Sequence, residues 1–190
     1  MSTSIKMIDI KETKRDFVNE LLKKDIHKVL DLGCGEMLLS KPFLKNKSFV
    51  KGIDLKEPYS VPEGAVFVKG NFFHEEFEKD YELIIASLIL HLTKKEFAPK
   101  LIKKIQDSTA KRGYNFLILM SNKDSLSTEP SAKGKFYVSM DEITEFYPSS
   151  EWKLIKSLED ETEPEQHKNP SELPQTPHTH NLIFLIFQKK

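Results

Sequence analysis

The sequence predicts an α/β fold of three layers, with a largely parallel sheet covered by helices on both faces. Three observations carry that expectation. Short apolar runs alternate with helical patterns along most of the chain. Those runs are continuous rather than alternating, as expected of strands buried on both faces. A glycine turn closes the first run and opens toward a helical pattern, the arrangement of a strand–loop–helix unit.

The elements follow in order. From Asp9 to Lys24, Ile10, Phe17, Leu21 and Leu22 recur at helical spacing between charges, predicting an amphipathic helix. Val29-Leu30-Asp31-Leu32 reads as a buried strand ending in Gly33-Cys34-Gly35, and Met37 to Leu44 as the helix after it. A second strand, Phe49 to Ile53, ends at Asp54, and a third runs from Ala65 to Val68 into Lys69-Gly70-Asn71. Between them Pro58, Pro62 and Gly64 exclude a regular helix, so this crossover is shortened. Leu83 to Ala86 is the fourth strand and Gly113 to Met120 the fifth.

Thr93-Lys94-Lys95-Glu96 has the capping-box pattern, and Phe97, Leu101, Ile102 and Ile105 share a helical face behind it. Pro99 is expected to kink that helix or delay its regular part. The lysines from Lys94 to Lys104 read as its solvated face. Ser139-Met140-Asp141-Glu142 is a second capping box, opening a short helix that ends near Tyr147-Pro148. Trp152 to Leu158 and Asn181 to Phe187 read as a terminal antiparallel pair, separated by a polar loop over 159–180. A loop of that length within one domain is usually functional or mobile. The chain reads as one domain over 1–190, with residues 1–27 as a helical lead.

Composition bounds the function. Of 190 residues, 38% are hydrophobic and 31% charged, as in a globular protein rather than a disordered one. Lys+Arg and Asp+Glu number 29 each, so a net charge of +0 supplies no global field to draw in a polyanion. This argues against nucleic acid as a partner. Cys34 is the sole cysteine and has no intrachain disulfide partner. No apolar run approaches the ~20 residues of a membrane span, and Met1 to Lys6 lack a secretory apolar segment. The expectation is a cytoplasmic protein, monomeric or homodimeric, with no membrane contact.

The chemistry centres on Asp31-Leu32-Gly33-Cys34-Gly35 at one strand end and Asp54-Leu55 at the next. Glycines let the backbone pass close under a ligand, and a carboxylate at the second strand end can accept both hydroxyls of a ribose. A dinucleotide site would want Gly-x-Gly-x-x-Gly and a helix N-terminus for the pyrophosphate. Here Gly35 is followed by Glu36-Met37-Leu38-Leu39, and a carboxylate at Glu36 would repel a diphosphate. Asp31 suits an ammonium group instead, so a ligand with an α-amino group, a sulfonium and a ribose fits better.

With these residues in place, the sequence resembles the class I S-adenosylmethionine (SAM)-dependent methyltransferases, whose first motif looks like Asp31-Leu32-Gly33-Cys34-Gly35. The resemblance implies a Rossmann-like, mostly parallel seven-stranded sheet with a C-terminal antiparallel pair, and SAM as cofactor. It further implies that Asp54 holds the ribose, that Asn71-Phe72 flanks the adenine, and that Ser87 stands beside the methionine part. One departure is clear: the family often has a third glycine where this chain has Met37. Within the superfamily the chain is similar to the tellurite-resistance TehB-type enzymes, which methylate oxyanions and small chalcogen compounds. The similarity includes Glu96 with Pro99, Gly113-Tyr114-Asn115, Phe136 before Asp141-Glu142-Ile143, Glu145 to Trp152, and Glu165-Gln166-His167-Lys168.

His91, after the fourth strand, and His167, His178 and His180, in the terminal loop, are the candidate catalytic side chains. In an α/β fold that loop overhangs the C-terminal sheet edge where ligands bind. For the loop histidines, three roles stay open: solvated surface, substrate contact with proton acceptance, or metal binding. The spacing of His178 and His180 is not that of a closed zinc site, and no metal is expected. Three rivals to a small-molecule methyltransferase remain. An RNA methyltransferase is suggested because Asp54-Leu55 and the following proline resemble the heat-shock ribosomal-RNA enzymes, but the chain lacks a basic stripe. A non-catalytic SAM-binding module would keep the cofactor residues alone. A dehydrogenase is disfavoured by Glu36 and the missing glycine.

Overall fold

Strands Lys28–Leu32 (β1), Phe49–Asp54 (β2), Ala65–Lys69 (β3), Tyr81–Ser87 (β4), Thr109–Met120 (β5), Trp152–Glu161 (β6) and Asn181–Lys189 (β7) form one sheet in a computed structural model of the chain. The structure describes residues 7–164 and 177–190. The strand order is β3-β2-β1-β4-β5-β7-β6, parallel through β5 and antiparallel at β7 and β6. The expected α/β fold and terminal antiparallel pair are therefore present. β6 runs on to Glu161, so the start of the loop expected over 159–180 is strand instead.

The inner strands are apolar throughout because helices cover both faces. On one face Phe17, Val18 and Leu21 of helix α1 (Ile10–Leu22) pack with Phe116, Ile118 and Phe184. Phe17 lies 5.7 Å from the Phe116 ring and 5.4 Å from Phe184, and burying it contributes about 1.5–3 kcal/mol. Asp9 starts α1 by accepting from the Lys11 and Glu12 backbone N–H groups, at 2.7 and 3.0 Å. On the other face Leu101, Ile102 and Ile105 of helix α3 (Ala98–Ser108) join Tyr147, Trp152 and Phe187. Tyr147 stacks on Phe187 at 4.0 Å and donates its hydroxyl to Asn115 Oδ1 at 3.2 Å. Asn115 Nδ2 donates in turn to Thr109 Oγ1 at 2.7 Å. Two segments carrying the family resemblance, Gly113 to Asn115 and Glu145 to Trp152, thus supply parts of this packing.

Three local expectations are corrected. The stretch from Met37 to Leu44 forms only one helical turn, α2 (Lys41–Leu44), because Met37 takes a left-handed φ of 56° that a helix cannot contain. Thr93 and Glu96 make no capping box. Helix α3 begins at Ala98 with Pro99 in its first turn, where a missing N–H costs nothing, so the proline delays the helix rather than kinking it. Lys104 is only half solvated: it donates to the Phe72 carbonyl at 3.1 Å and to that of Glu75, and sits 3.9 Å from the Phe77 ring centre. The second capping box is present, Ser139 and Glu142 opening helix α4 (Met140–Glu145).

Met37 keeps a glycine-like backbone with its side chain fully buried. The room comes from Gly52 on β2. A Cβ there would meet Cys34 Sγ at 2.7 Å, Met37 Cε at 3.0 Å and Cys34 Cβ at 3.1 Å. Gly52→Ala therefore overpacks the underside of the glycine turn, at a cost of about 1–3 kcal/mol. A thermal melt should register a drop of roughly 3–10 °C for a chain of this size, and an unchanged midpoint would mean that Met37 moves aside freely.

Candidate functional site

Strand register assembles the site. Leu32 of β1 pairs with Ile53 of β2 on one side and Ala86 of β4 on the other. The residues that follow, Gly33, Asp54 and Ser87, therefore emerge side by side at the C-terminal edge. The crossovers diverge between β1 and β4, so this is the topological switch point at which ligands bind in such sheets.

Gly33 has φ 63°, and a Cβ on it would lie 2.3 Å from Ile89 Cγ2, so the tight passage excludes a side chain. Its N–H donates to the Ile53 carbonyl at 2.8 Å, binding the turn to β2. Asp54 completes the corner, with Oδ2 accepting from the Gly35 N–H at 2.9 Å and Oδ1 from the Lys56 N–H at 3.0 Å. Each carboxylate oxygen has further lone pairs, so Asp54 is oriented by the backbone without being exhausted. Leu55 beside it is 62% exposed at the rim.

Asp31 is buried, 2% exposed, and its side-chain hydrogen bond comes from the Ser40 hydroxyl, 2.6 Å from Oδ2. Burial raises its pKa from the usual 3.8 to about 7, opposed by the Ser40 hydrogen bond and helped by the Asp54 charge. The carboxyl lines a cavity of about 260 Å³ together with Lys14, Gly33, Cys34, Glu36, Leu39 and Ser87. A carboxyl that burial has raised to about 7, with one neutral hydroxyl donating to it, is set to gain from a cationic ligand. Cys34 is no nucleophile here: burial, then the Asp31 charge, pushes its thiol up to about 12.

Glu36 does not face a phosphate site. Its carboxylate accepts from the Tyr59 N–H, at 3.3 and 3.2 Å, drawing the second crossover over the glycine turn. Since α2 starts only at Lys41, no helix N-terminus follows the glycines directly to receive a pyrophosphate. The cavity fits a SAM-type ligand better than a dinucleotide. At the third strand end Asn71 Oδ1 accepts from the Phe73 N–H at 3.0 Å, while Phe72 and Phe73 lie 4.9 Å apart. Asn71 and Phe73 also border a second hollow of about 540 Å³ with His74, Thr93, Phe97 and Lys104. Phe97 is 44% exposed there, on the rim rather than in the core.

His91, His178 and His180 converge across β4, β5 and β7. His91 lies in the 3₁₀ turn Leu90–Leu92, with its ring 6.2 Å from that of Tyr137. Burial, then the Lys135 and His180 charges, lower its pKa to about 4, so its imidazole is neutral at physiological pH. Its Nδ1 is buried with no hydrogen-bond partner among the described residues. His178 and His180 meet edge to face at 4.9 Å. His180 Nδ1 lies 3.1 Å from Asp124 Oδ2, which also accepts from the Asn181 N–H at 2.8 Å, while Oδ1 accepts from the Leu126 N–H at 2.9 Å. No three His, Cys, Asp or Glu among the described residues are placed to hold a metal ion. His167 lies outside the described residues.

Sequence reasoning missed Lys14, Ser40, Asp124 and Tyr137. Asp124 reads in sequence as a turn residue before Leu126, and it is one; only β7 brings His180 to it, 56 positions later. Ser40 carried no motif at all.

Comparisons with known proteins agree with this geometry. The TehB from Haemophilus influenzae is similar over 100% of this chain and 64% of its own, at TM-score 0.73 and 18% identity. A Burkholderia thailandensis 1,6-didemethyltoxoflavin-N1-methyltransferase, solved with S-adenosylhomocysteine, matches 94% of this chain and 77% of its own, at TM-score 0.67 and 14% identity. The magnesium protoporphyrin IX methyltransferase of Synechocystis PCC 6803, solved with SAM, matches 95% and 79%, at TM-score 0.66 and 14% identity. Among curated proteins none matches the sequence significantly. No described helix is long and apolar enough to cross a membrane. The tellurite resistance protein TehB family matches residues 5–172, nearly the whole length over which the methyltransferase sheet and its corner of Gly33, Asp54 and Ser87 are built, and the chain belongs to that family.

Proposed function

We propose that this protein, a SAM-dependent methyltransferase of the TehB family, methylates a small acceptor carrying a soft chalcogen nucleophile, an oxyanion or a thiol, above the ends of β4, β5 and β7. The observation that carries the cofactor side is the pair of acidic strand ends: buried Asp31 with its raised pKa, and Asp54 pinned by two backbone N–H groups. Asp31 would take the ligand's ammonium and Asp54 its ribose hydroxyls, with Gly33 to Gly35 beneath, Leu55 at the rim, Asn71-Phe72 at the adenine and Ser87 at the methionine arm. Bound there, SAM supplies a methyl group already activated by its positive sulfur. The chain's own task is alignment and exclusion of water, which in well-oriented systems lowers a barrier by about 7–11 kcal/mol.

The acceptor side rests on the convergent imidazoles, on zero net charge and on family membership. Calorimetric titration with SAM, S-adenosylhomocysteine and NAD, followed by release of S-adenosylhomocysteine over tellurite, selenite, a small thiol and RNA, tests the whole reading. The expected outcome is micromolar binding of both sulfur nucleosides, none of NAD, and turnover on a chalcogen acceptor only. Turnover on RNA alone would replace the acceptor class, and binding without any turnover would make the chain a SAM-binding module.

A further inference from the structure

We propose that Lys94, Lys133 and Lys135 form a cationic rim on the acceptor side of the site, and that the small acceptor is drawn in as an anion. The inference rests on the methyltransferase reading and narrows its substrate by charge, to a chalcogen oxyanion or a thiol that carries a carboxylate. Two loops build the rim. The segment that leaves β4 through the Leu90–Leu92 turn and the segment that leads into α4 are bridged antiparallel at Lys94 and Lys135. The Lys95 N–H donates to the Gly134 carbonyl at 2.7 Å, and the Phe136 N–H to the Thr93 carbonyl at 3.2 Å. Thr93 and Phe136 are buried beneath the bridge, while Lys94, Lys95, Lys133 and Lys135 stay exposed.

Residues paired across an antiparallel bridge project to the same face with Cβ atoms about 4.5–5.5 Å apart, and like charges so placed repel. Lys94 and Lys135 take that arrangement. Of the four lysines only Lys95 has an ion pair among the described residues, with Glu142 at 3.6 Å. Lys94, Lys95 and Lys133 surround an open hollow of about 570 Å³ together with Glu96 and Gly134. Glu96 and Glu142 thus offset only part of four positive charges. A chain with 29 acidic side chains and no net charge leaves this local repulsion unrelieved, and an excess of one sign around a hollow raises the local concentration of ions of the other. The lysines converge on one hollow instead of following a stripe, which suits a small anion and not a polynucleotide backbone.

Position ties the rim to the acceptor side. His91 stands three residues before Lys94, in the turn that follows β4, and its ring lies 6.2 Å from that of Tyr137, two residues after Lys135. The field of Lys135 reaches this imidazole: after burial, it is the next cause that keeps His91 neutral. The buried His91 Nδ1, with no hydrogen-bond partner among the described residues, marks where a polar atom of the acceptor would sit below the rim. Charge at the mouth over a neutral group at depth lets the lysines act on entry and retention of the acceptor and not on the methyl transfer.

The test is a selenium-77 NMR titration of selenite into the S-adenosylhomocysteine complex of three proteins. These are the full chain, the triple variant Lys94→Gln, Lys133→Gln, Lys135→Gln, and the triple variant Lys94→Glu, Lys133→Glu, Lys135→Glu. A unit charge ~8 Å from an anion in water is worth roughly a twofold change in affinity, so three are worth about tenfold. Salt switches that attraction off, since the screening length falls from ~30 Å at about 0.01 M to ~3 Å at about 1 M. The parent should bind selenite about tenfold more tightly at the lower salt than at the higher. The Gln variant should bind about tenfold more weakly than the parent at low salt and lose most of the salt response, and the Glu variant should bind better as salt rises. Equal affinity in the parent and the Gln variant overturns the proposal. So does a Glu variant that keeps the parent's slope, because a merely structural loss cannot invert a salt response. Tighter binding of an RNA decamer than of selenite, abolished in the Gln variant, also overturns it and gives the rim to a polynucleotide. A parent that holds S-adenosylhomocysteine but not selenite overturns the proposal while the cofactor reading stands, whereas failure of S-adenosylhomocysteine to bind removes the methyltransferase reading and the proposal with it.

Discussion

Asp54→Ala lowers SAM affinity roughly 10- to 150-fold, the equivalent of one charge-assisted hydrogen-bond contact of about 1.5–3 kcal/mol. Two effects add in this loss. In the proposed complex the ribose hydroxyls would lose their acceptor, and the Gly35 and Lys56 N–H groups lose theirs, so the corner between the glycine turn and the second crossover loosens. Calorimetry with SAM and S-adenosylhomocysteine should show the same ratio for both ligands, since the ribose is common to them. Affinity unchanged within error would remove Asp54 from the ribose role. Asp54→Asn is the companion variant: it keeps an oxygen for one backbone donor, and an intermediate loss is expected.

The second large effect is a pH dependence that belongs to Asp31. In the free protein its carboxyl is raised to about 7 by burial, so above that pH it is ionised and below it protonated. In the proposed complex only the ionised form would attract the ligand's ammonium. SAM affinity should therefore fall as pH drops through 7, approaching a tenfold loss per unit at lower pH, with uptake of ligand accompanied by proton release around pH 6. Asp31→Asn removes both the charge and the dependence, leaving weak, flat binding between pH 5 and 8. A parent profile equally flat would dismiss Asp31 as the ammonium partner.

Stability of the ligand-free protein carries the opposite sign. A carboxyl whose folded pKa exceeds its unfolded value near 3.8 contributes stability that is full below 3.8 and is lost as pH rises through about 7. The ligand-free melting temperature should accordingly decline between pH 5 and 8 from this group, and saturating SAM should reverse the decline. Asp31→Asn, uncharged at every pH, should remove that part of the slope.

Much of this protein was legible without a structure, and for a physical reason. The strands β1, β2, β4, β5 and β7 are apolar runs because both faces of an inner strand are buried, a property written residue by residue. The glycine turn and the acidic strand ends are equally local, since backbone conformation at Gly33 and the end of a strand at Asp54 depend on near neighbours. Ser139 with Glu142 was legible as a capping box for the same reason. Thr93 with Glu96 carried the same pattern without forming one, because Pro99 admits the helix only from Ala98.

What tertiary structure alone decided involves partners far apart in the chain or conformations that composition hides. Met37 breaks the expected helix because Gly52, on another strand, leaves room for its side chain under a left-handed backbone. Lys104 turns partly out of solvent because two carbonyls and a phenyl ring from the loop after the third strand hold it. Asp31 acquires its raised pKa from burial, which no spacing reveals, and Asp124 meets His180 only because β7 returns antiparallel beside β5. Local pattern thus determined the sheet, the glycine turn and the acidic strand ends, whereas the acidities and the pairing of Asp124 with His180 arise from packing between segments that the sequence keeps apart.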